Sequence, residues 1–234
     1  MLSLNKFFNH PQLVAFTSDS KVDYTLHEAA PFLTDAQRSE LSQLIGSSVN
    51  RLAWVKQVHG AEIVVVDDNF LKDGELKEAD ALVTNRKDVL VAVRTADCLP
   101  VFIWDPIHQA MGIVHAGWRS TQKEIVRRTC EVMAAIYQSD YEDLLIAFGP
   151  SIRSCCYQVS DEFKKYFPNA VTSREGKLYM DLIKSNSDQL LALGVERNLL
   201  FDSCVCTACD HDYFSYRRDG DKAGRMLSGF LLKG

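Results

Sequence analysis

The middle of the chain is a succession of short runs rich in Val, Ile and aromatic residues, each cut off by Gly, Asp, Asn or Pro. Residues 13–17, 52–58, 62–66, 81–84, 89–94, 101–104, 111–114 and 144–148 all have this form. Branched and ring-bearing side chains suit a pleated surface, and turn formers at both ends keep each run short. Strands are expected at all these places, with later ones over 199–203, 213–217 and 226–231.

Helical periodicity is sparser. Thr34 can cap a helix over 35–44. Ser120 or Thr121 can cap one long helix ending at Tyr137, with Ile125, Cys130, Val132, Met133 and Ile136 on its apolar side. Asp181 opens another that ends near Gly194, and a short one fits 161–166. A doubly wound sheet needs helices alternating regularly with strands, and that alternation is missing. The expected fold class is therefore α+β: a single domain over residues 1–234, with a mixed β-sandwich core and helices packed outside. Hydrophobic residues make up 47% of the chain, enough to build such a core.

Formal net charge is −5. Binding to a nucleic-acid backbone relies on a Lys/Arg surface that releases counterions, so no nucleic-acid partner is expected. The N-terminal segment has no apolar stretch followed by a small-residue cleavage site. No run approaches the roughly 20 apolar residues of a membrane helix. The expected location is the cytoplasm, without membrane association, as a monomer or weak homodimer. Seven Cys, an odd number bunched late in the chain, read there as thiols or ligands, not as a disulfide framework. No GxGxxG follows a strand, and there is no GxxxxGK[ST] loop, so dinucleotide and P-loop nucleotide binding lack support.

Three polar signals interrupt the apolar runs: Lys56-Gln57-Val58-His59-Gly60, Thr95-Ala96-Asp97-Cys98-Leu99-Pro100 and Val114-His115-Ala116-Gly117-Trp118-Arg119. Each puts an imidazole or thiol at a strand end beside Gly or Pro, where side chains can converge at the rim of a core. Two imidazoles and a thiolate suit a catalytic Zn²⁺, which takes three protein ligands and keeps one position open. The competing reading makes His59 and His115 satisfied buried histidines and Cys98 a small core residue. Asp97 is a candidate general base, an acceptor behind the ligands, or a turn former. Arg119, Arg217, Arg218 and Arg225 are candidates for anion contacts. Cys204, Cys206, Cys209 and His211 look like half of a second metal site, which Cys155-Cys156 would complete only if the fold brought them near.

Taken together, the segments QVHG (57–60), ADALVT (79–84), TADCLPV (95–101), VHAGWR (114–119), FGPSI (148–152), CYQV (156–159), CTAC (206–209) and FSYRRDG…AGRM (214–226) resemble one family. It is the YfiH-type family, also called the polyphenol oxidoreductase "laccase" or peptidoglycan editing factor family, with a macrophage relative named FAMIN. The resemblance implies a YfiH-like fold grouped with toxin deamidases and a zinc site at His59, Cys98 and His115. It also implies phosphorolysis of adenosine, inosine, guanosine and methylthioadenosine, and deamination of adenosine. Catalytic roles are expected for Cys98, His115 and Asp97, and contacts to purine nucleoside or phosphate for Gln57, Arg119, Ser151 and Arg217. The family's N-terminal T-x-R-x-G-G-x-S is replaced by Phe16-Thr17-Ser18-Asp19-Ser20, and the S-L-N-L stretch after it by Val22 to Leu26. An Arg and a Gly pair expected to meet phosphate or substrate are thus missing. Ser120 stands where HAGWRG has its last Gly. The alternatives are a copper polyphenol oxidase, with Met111 as a weak axial ligand; a cysteine hydrolase or amidase acting on peptidoglycan precursors, with Cys98 as nucleophile; and a protein-binding module.

Overall fold

The computed structural model describes residues 1–25, 33–46, 51–73 and 76–234; Leu26, which closes the segment replacing S-L-N-L, lies outside them. In chain order the first half contains β1 (Leu2–Ser3), α1 (Asn5–Phe8), β2 (Leu13–Thr17), α2 (Asp35–Ile45), β3 (Leu52–Ala53), β4 (Ile63–Val65), α3 (Asp68–Asp73), β5 (Ala81–Thr84), β6 (Leu90–Thr95), β7 (Leu99–Asp105) and β8 (Ala110–Ala116). The second half adds α4 (Trp118–Gln122), α5 (Ile125–Tyr137), β9 (Leu145–Phe148), β10 (Gln158–Val159), α6 (Phe163–Tyr166), β11 (Val171–Arg174), β12 (Lys177–Met180), α7 (Leu182–Leu193), β13 (Leu200–Asp202), α8 (Tyr216–Asp219) and β14 (Met226–Leu232).

Among the described residues the strands form a sheet ordered β1-β2-β14-β6-β3, a larger one ordered β13-β9-β7-β8-β5-β4, and a small one ordered β10-β12-β11. Alternation along the strands decides what each face meets. Leu13, Ala15, Val91, Val93 and Phe230 of the first sheet pack against Leu82, Phe102, Trp104, Met111 and Ile113 of the second. The intervening residues face outward: Val14, Phe16, Leu90 and Leu231 meet Leu41 and Ile45 of α2. Val101, Ile103 and Val114 meet Ile125, Val126 and Met133 of α5 and Leu190 of α7. The result is helix, sheet, sheet, helix, the α+β sandwich expected. A Cβ on Gly112 of β8 would lie 3.1 Å from Met133 Sδ, so that glycine lets α5 settle onto the sheet.

The expected strand over 213–217 is instead a turn running into α8. Ser215 caps α8 by accepting from the Arg218 amide, and the Arg217 amide donates to Asp97 Oδ2 at 2.6 Å, so neither amide is left for a ladder. The long helix expected from Ser120 or Thr121 to Tyr137 is two helices. Glu124 in the left-handed region (φ 59°) separates them, and the first begins after Gly117. Ser120 and Thr121 are buried inside α4 rather than capping it. Asn186 Nδ2 and Gln189 Nε2 of α7 donate to the Thr121 hydroxyl and carbonyl. Ile136, expected on the apolar side, is exposed. The expected strand over 52–58 is ladder-paired only at Leu52–Ala53, apart from a bridge between Lys56 and Glu78. The hairpin of β11 and β12 was not foreseen. Its turn residues, Glu175 and Gly176, both have positive φ, as a tight hairpin requires.

Candidate active site

The hairpin of β7 and β8 assembles the site. Its register puts Pro100 opposite His115 and Leu99 opposite Ala116, which brings Cys98, just before β7, beside Gly117, just after β8. A Cβ on Gly117 would lie 3.0 Å from both Cys98 Sγ and His59 Cδ2; only glycine leaves those two side chains room to meet. Cys98 Sγ is 3.8 Å from His59 Nε2, and the His59 and His115 rings are 4.8 Å apart between centroids. Candidate ligand atoms of His59, Cys98 and His115 lie within 4.8 Å of one another.

One carboxylate organises both imidazoles. Asp80, fully buried just before β5, accepts from His115 Nδ1 at 2.7 Å, which leaves Nε2 to face the site. Its oxygens also accept from the backbone amides of Val58, His59 and Gly60 at 3.2, 3.0 and 2.6 Å. These bonds hold the loop on which His59 sits in the left-handed region (φ 56°). Burial alone would raise the Asp80 pKa, but His115 and these amides outweigh it and hold the carboxyl below the usual range. Burial likewise opposes a charged Cys98, yet His115 and His59 bring its pKa down to about 6. Burial opposes a charged His115, yet the Cys98 thiolate and Asp80 push its pKa up to about 9. The set thus favours a thiolate. With a carboxylate behind one imidazole, it has the chemistry of a three-ligand metal centre.

The centre lies in a cavity of about 580 Å³, within the range of small-molecule sites. Gln57, Arg119, Arg217 and Arg225 line it with Asp97. The Gln57 amide is committed to the backbone N and O of Arg94. The Arg217 guanidinium donates to the Gln158 carbonyl at 2.9 Å. Arg119 lies 4.3 Å over the Trp118 ring. Asp97, with φ 84°, accepts from Thr207 Oγ1 and the Arg217 amide, both at 2.6 Å, and so ties two segments to the Cys98 turn.

Three expectations are corrected by position. Ser151 is fully buried and does not line the cavity; its backbone pairs with the segment 205–207. Arg218 points away and donates to the Thr207 and Tyr213 carbonyls. Met111 cannot be an axial ligand, because it is buried between the sheets and sits four residues before His115 on β8, about 13 Å along the strand. The segment 16–20 also has a structural place: Thr17 bonds Ser228, and Ser18 bonds Leu227.

Asp80, Arg94, Trp118 and Tyr157 belong to the site, and sequence reasoning assigned them no role. The available signals were a lone Asp opening an apolar run and a lone Arg near the end of another.

Residues 29–233 match a family described as multi-copper polyphenol oxidoreductase laccase. The chain belongs to that family. Among similar members, a purine nucleoside phosphorylase of Clostridium acetobutylicum is 35% identical over 192 residues, covering 80% of this chain and 78% of that one. A protein named adenosine deaminase RL5, from an unknown prokaryotic organism, is 32% identical over 235 residues, covering 94% and 88%. The crystal structure of the Bacillus licheniformis hypothetical protein YfiH superposes with a TM-score of 0.83 at 27% identity, covering 95% and 93%. That of YlmD from Geobacillus stearothermophilus gives 0.81 at 27%, covering 96% and 93%. No helix among the described residues is long and apolar enough to cross a membrane.

Proposed function

We propose that the chain, acting as one unit over residues 1–234, is a zinc-dependent purine nucleoside enzyme that cleaves nucleosides with phosphate and deaminates adenosine. The observation carrying this reading is the His59–Cys98–His115 set, backed by one buried carboxylate, in a cavity that also offers aromatic faces and guanidinium groups. The relatives named purine nucleoside phosphorylase and adenosine deaminase support the substrate class. We place it in the cytoplasm as a monomer or weak homodimer, without nucleic-acid or membrane partners.

His59, Cys98 and His115 would hold a Zn²⁺, which would supply Lewis acidity to the cavity. Zinc suits this donor set better than copper, since no Met among the described residues lines the cavity and the set has only two imidazoles. Trp118 and Tyr157 offer faces for a purine ring. Arg94 and Arg225 also line the cavity; burial, with the charge of Arg225, brings the Arg94 pKa down to about 10. A phosphate beside both relieves that repulsion, so these two arginines hold it for attack at ribose C1′. Deamination uses the same base site with water directed at purine C6. Cys98 and His115 act as ligands, His115 kept in one tautomer by Asp80. Asp97 acts by placing the Cys98 turn, its oxygens being already engaged.

The test is incubation of metal-replete protein with adenosine and inosine, with and without phosphate. The expected products are free base that requires phosphate, and inosine from adenosine without it; His115→Ala should abolish both. Absence of either product from metal-replete protein overturns that half of the reading. The Cys98–His115 pair supports a second reading, a cysteine hydrolase. Alkylation of Cys98 that is equally fast with metal saturating would favour it.

A further inference from the structure

Apart from the centre just described, a second set of metal-ligating side chains comes together. The turn around Cys155 and Cys156 faces the turn from Cys206 to Cys209, and the four sulfurs lie within 4.8 Å of one another. Cys204 and His211, the other candidates in that stretch, are not part of the set. Cys155 Sγ is 3.7 Å from both Cys156 Sγ and Cys209 Sγ, and the latter two are 3.2 Å apart. A disulfide would need about 2.05 Å. Sulfurs placed 2.3 Å from a tetrahedral Zn²⁺ lie roughly 3.8 Å apart; two of the pairs match that at 3.7 Å, and Cys156 and Cys209, at 3.2 Å, would open by about half an ångström around the ion.

We propose that Cys155, Cys156, Cys206 and Cys209 bind a structural Zn²⁺ through four thiolates, clipping two turns together behind one wall of the cavity. Four such ligands leave no open position, the arrangement of a structural rather than catalytic zinc. The electrostatics agree. Burial raises the Cys155 pKa to about 11, its sulfur neighbours Cys206 and Cys209 adding to the rise, and raises Cys156 as well. Four sulfurs this close cannot all ionise without a cation between them. Cys206 is already biased: burial disfavours its thiolate, but the backbone amides of Arg153, Cys209 and Ala208 outweigh that and lower its pKa. Each zinc–thiolate bond formed releases a proton to solvent from a thiol that carried one, with no change of oxidation state.

The clip acts on groups beside the active site. Ile152, three residues before Cys155, donates its amide to the Asp97 carbonyl. Thr207, between Cys206 and Cys209, donates its hydroxyl to the Asp97 carboxylate. Arg217 Nη1 donates to the Gln158 carbonyl, next to the cavity-lining Tyr157. Zinc at the clip holds both turns against the Cys98 turn without touching substrate.

Protein purified without chelator should contain about two zinc ions per chain, with one remaining in Cys98→Ala and one in Cys209→Ser. Loading with ¹¹³Cd²⁺ should give two NMR resonances. The one shifted furthest downfield, as four sulfurs require, should persist in Cys98→Ala and vanish in Cys209→Ser. If Cys209→Ser does not fold, the wild type still decides: iodoacetamide should spare Cys155, Cys156, Cys206 and Cys209 until zinc is stripped from the folded protein. Zinc content unchanged by Cys209→Ser, a Cys156–Cys209 disulfide in freshly purified protein, or free alkylation of all four thiols in the zinc-loaded chain would overturn the proposal. Loss of all zinc in Cys98→Ala would do the same, whereas zinc retained by Cys98→Ala without nucleoside activity in the wild type would sink only the catalytic reading.

Discussion

At the residue scale the centre depends on Asp80, which sets both imidazoles through five bonds to its side chain and carbonyl. Asp80→Asn puts an N–H₂ where only acceptors fit. Metal affinity should fall by roughly 10- to 100-fold, read by competition with a chromophoric chelator; unchanged affinity would contradict the role given to Asp80. Gly117→Ala places a methyl 3.0 Å from Cys98 Sγ and His59 Cδ2. It should empty this centre of metal while zinc at the four-cysteine clip stays, as measured by elemental analysis. That His59, Cys98 and His115 come together was legible in the sequence, because each is followed within two residues by Gly or Pro, where the chain can turn and side chains can converge. Asp80 was not, because its role exists only once the loop 58–60 folds back over the start of β5. Ser151 differs for the complementary reason: its backbone pairs with the segment 205–207, and that pairing buries its side chain away from the cavity.

At the scale of elements, periodicity located α2, α7 and most strands of the two large sheets, since those patterns state which face is buried. It failed where hydrogen bonds from distant residues decide the local path. The run Tyr213–Arg217 has strand-like composition, yet Asp97 claims the Arg217 amide and Ser215 that of the next residue, Arg218, which turns the chain into α8. Ser215→Ala should cost about 1 kcal/mol of stability, seen in thermal or urea unfolding. It should also lower kcat/KM, since the freed turn carries Arg217 beside the Cys98 turn. A full stability loss with unaltered kcat/KM would detach α8 from the site. The break at Glu124 was equally hidden, because Glu is an ordinary helix former and its left-handed φ reflects the need to redirect α5 onto β8.

At the scale of the whole molecule, the sandwich brings together residues from nearly every part of the chain, and the ties between distant segments should set its acid limit. Arg153 donates to both oxygens of Asp202 at 2.6 and 2.5 Å, joining the turn after β9 to the end of β13. Burial raises the Asp202 pKa, but Arg153 and the Cys204 amide outweigh it, so the folded value lies below the ordinary one. A depressed carboxyl stabilises the fold fully above its unfolded pKa of about 3.9, and that contribution is lost as pH falls toward the folded value. Asp202→Asn should therefore cost about 2 kcal/mol at neutral pH and flatten the acid decline of urea stability below about pH 4. On the proposed function, turnover depends on an ion held by His59, Cys98 and His115. The most direct measurement is phosphate-dependent release of hypoxanthine from inosine while zinc is returned stepwise to chelator-stripped protein, with Cys98→Ala alongside. Activity should rise in proportion to occupancy of the Cys98 centre and stay at background in the variant. Full turnover by stripped protein, or zinc-restored turnover in Cys98→Ala, would contradict that dependence.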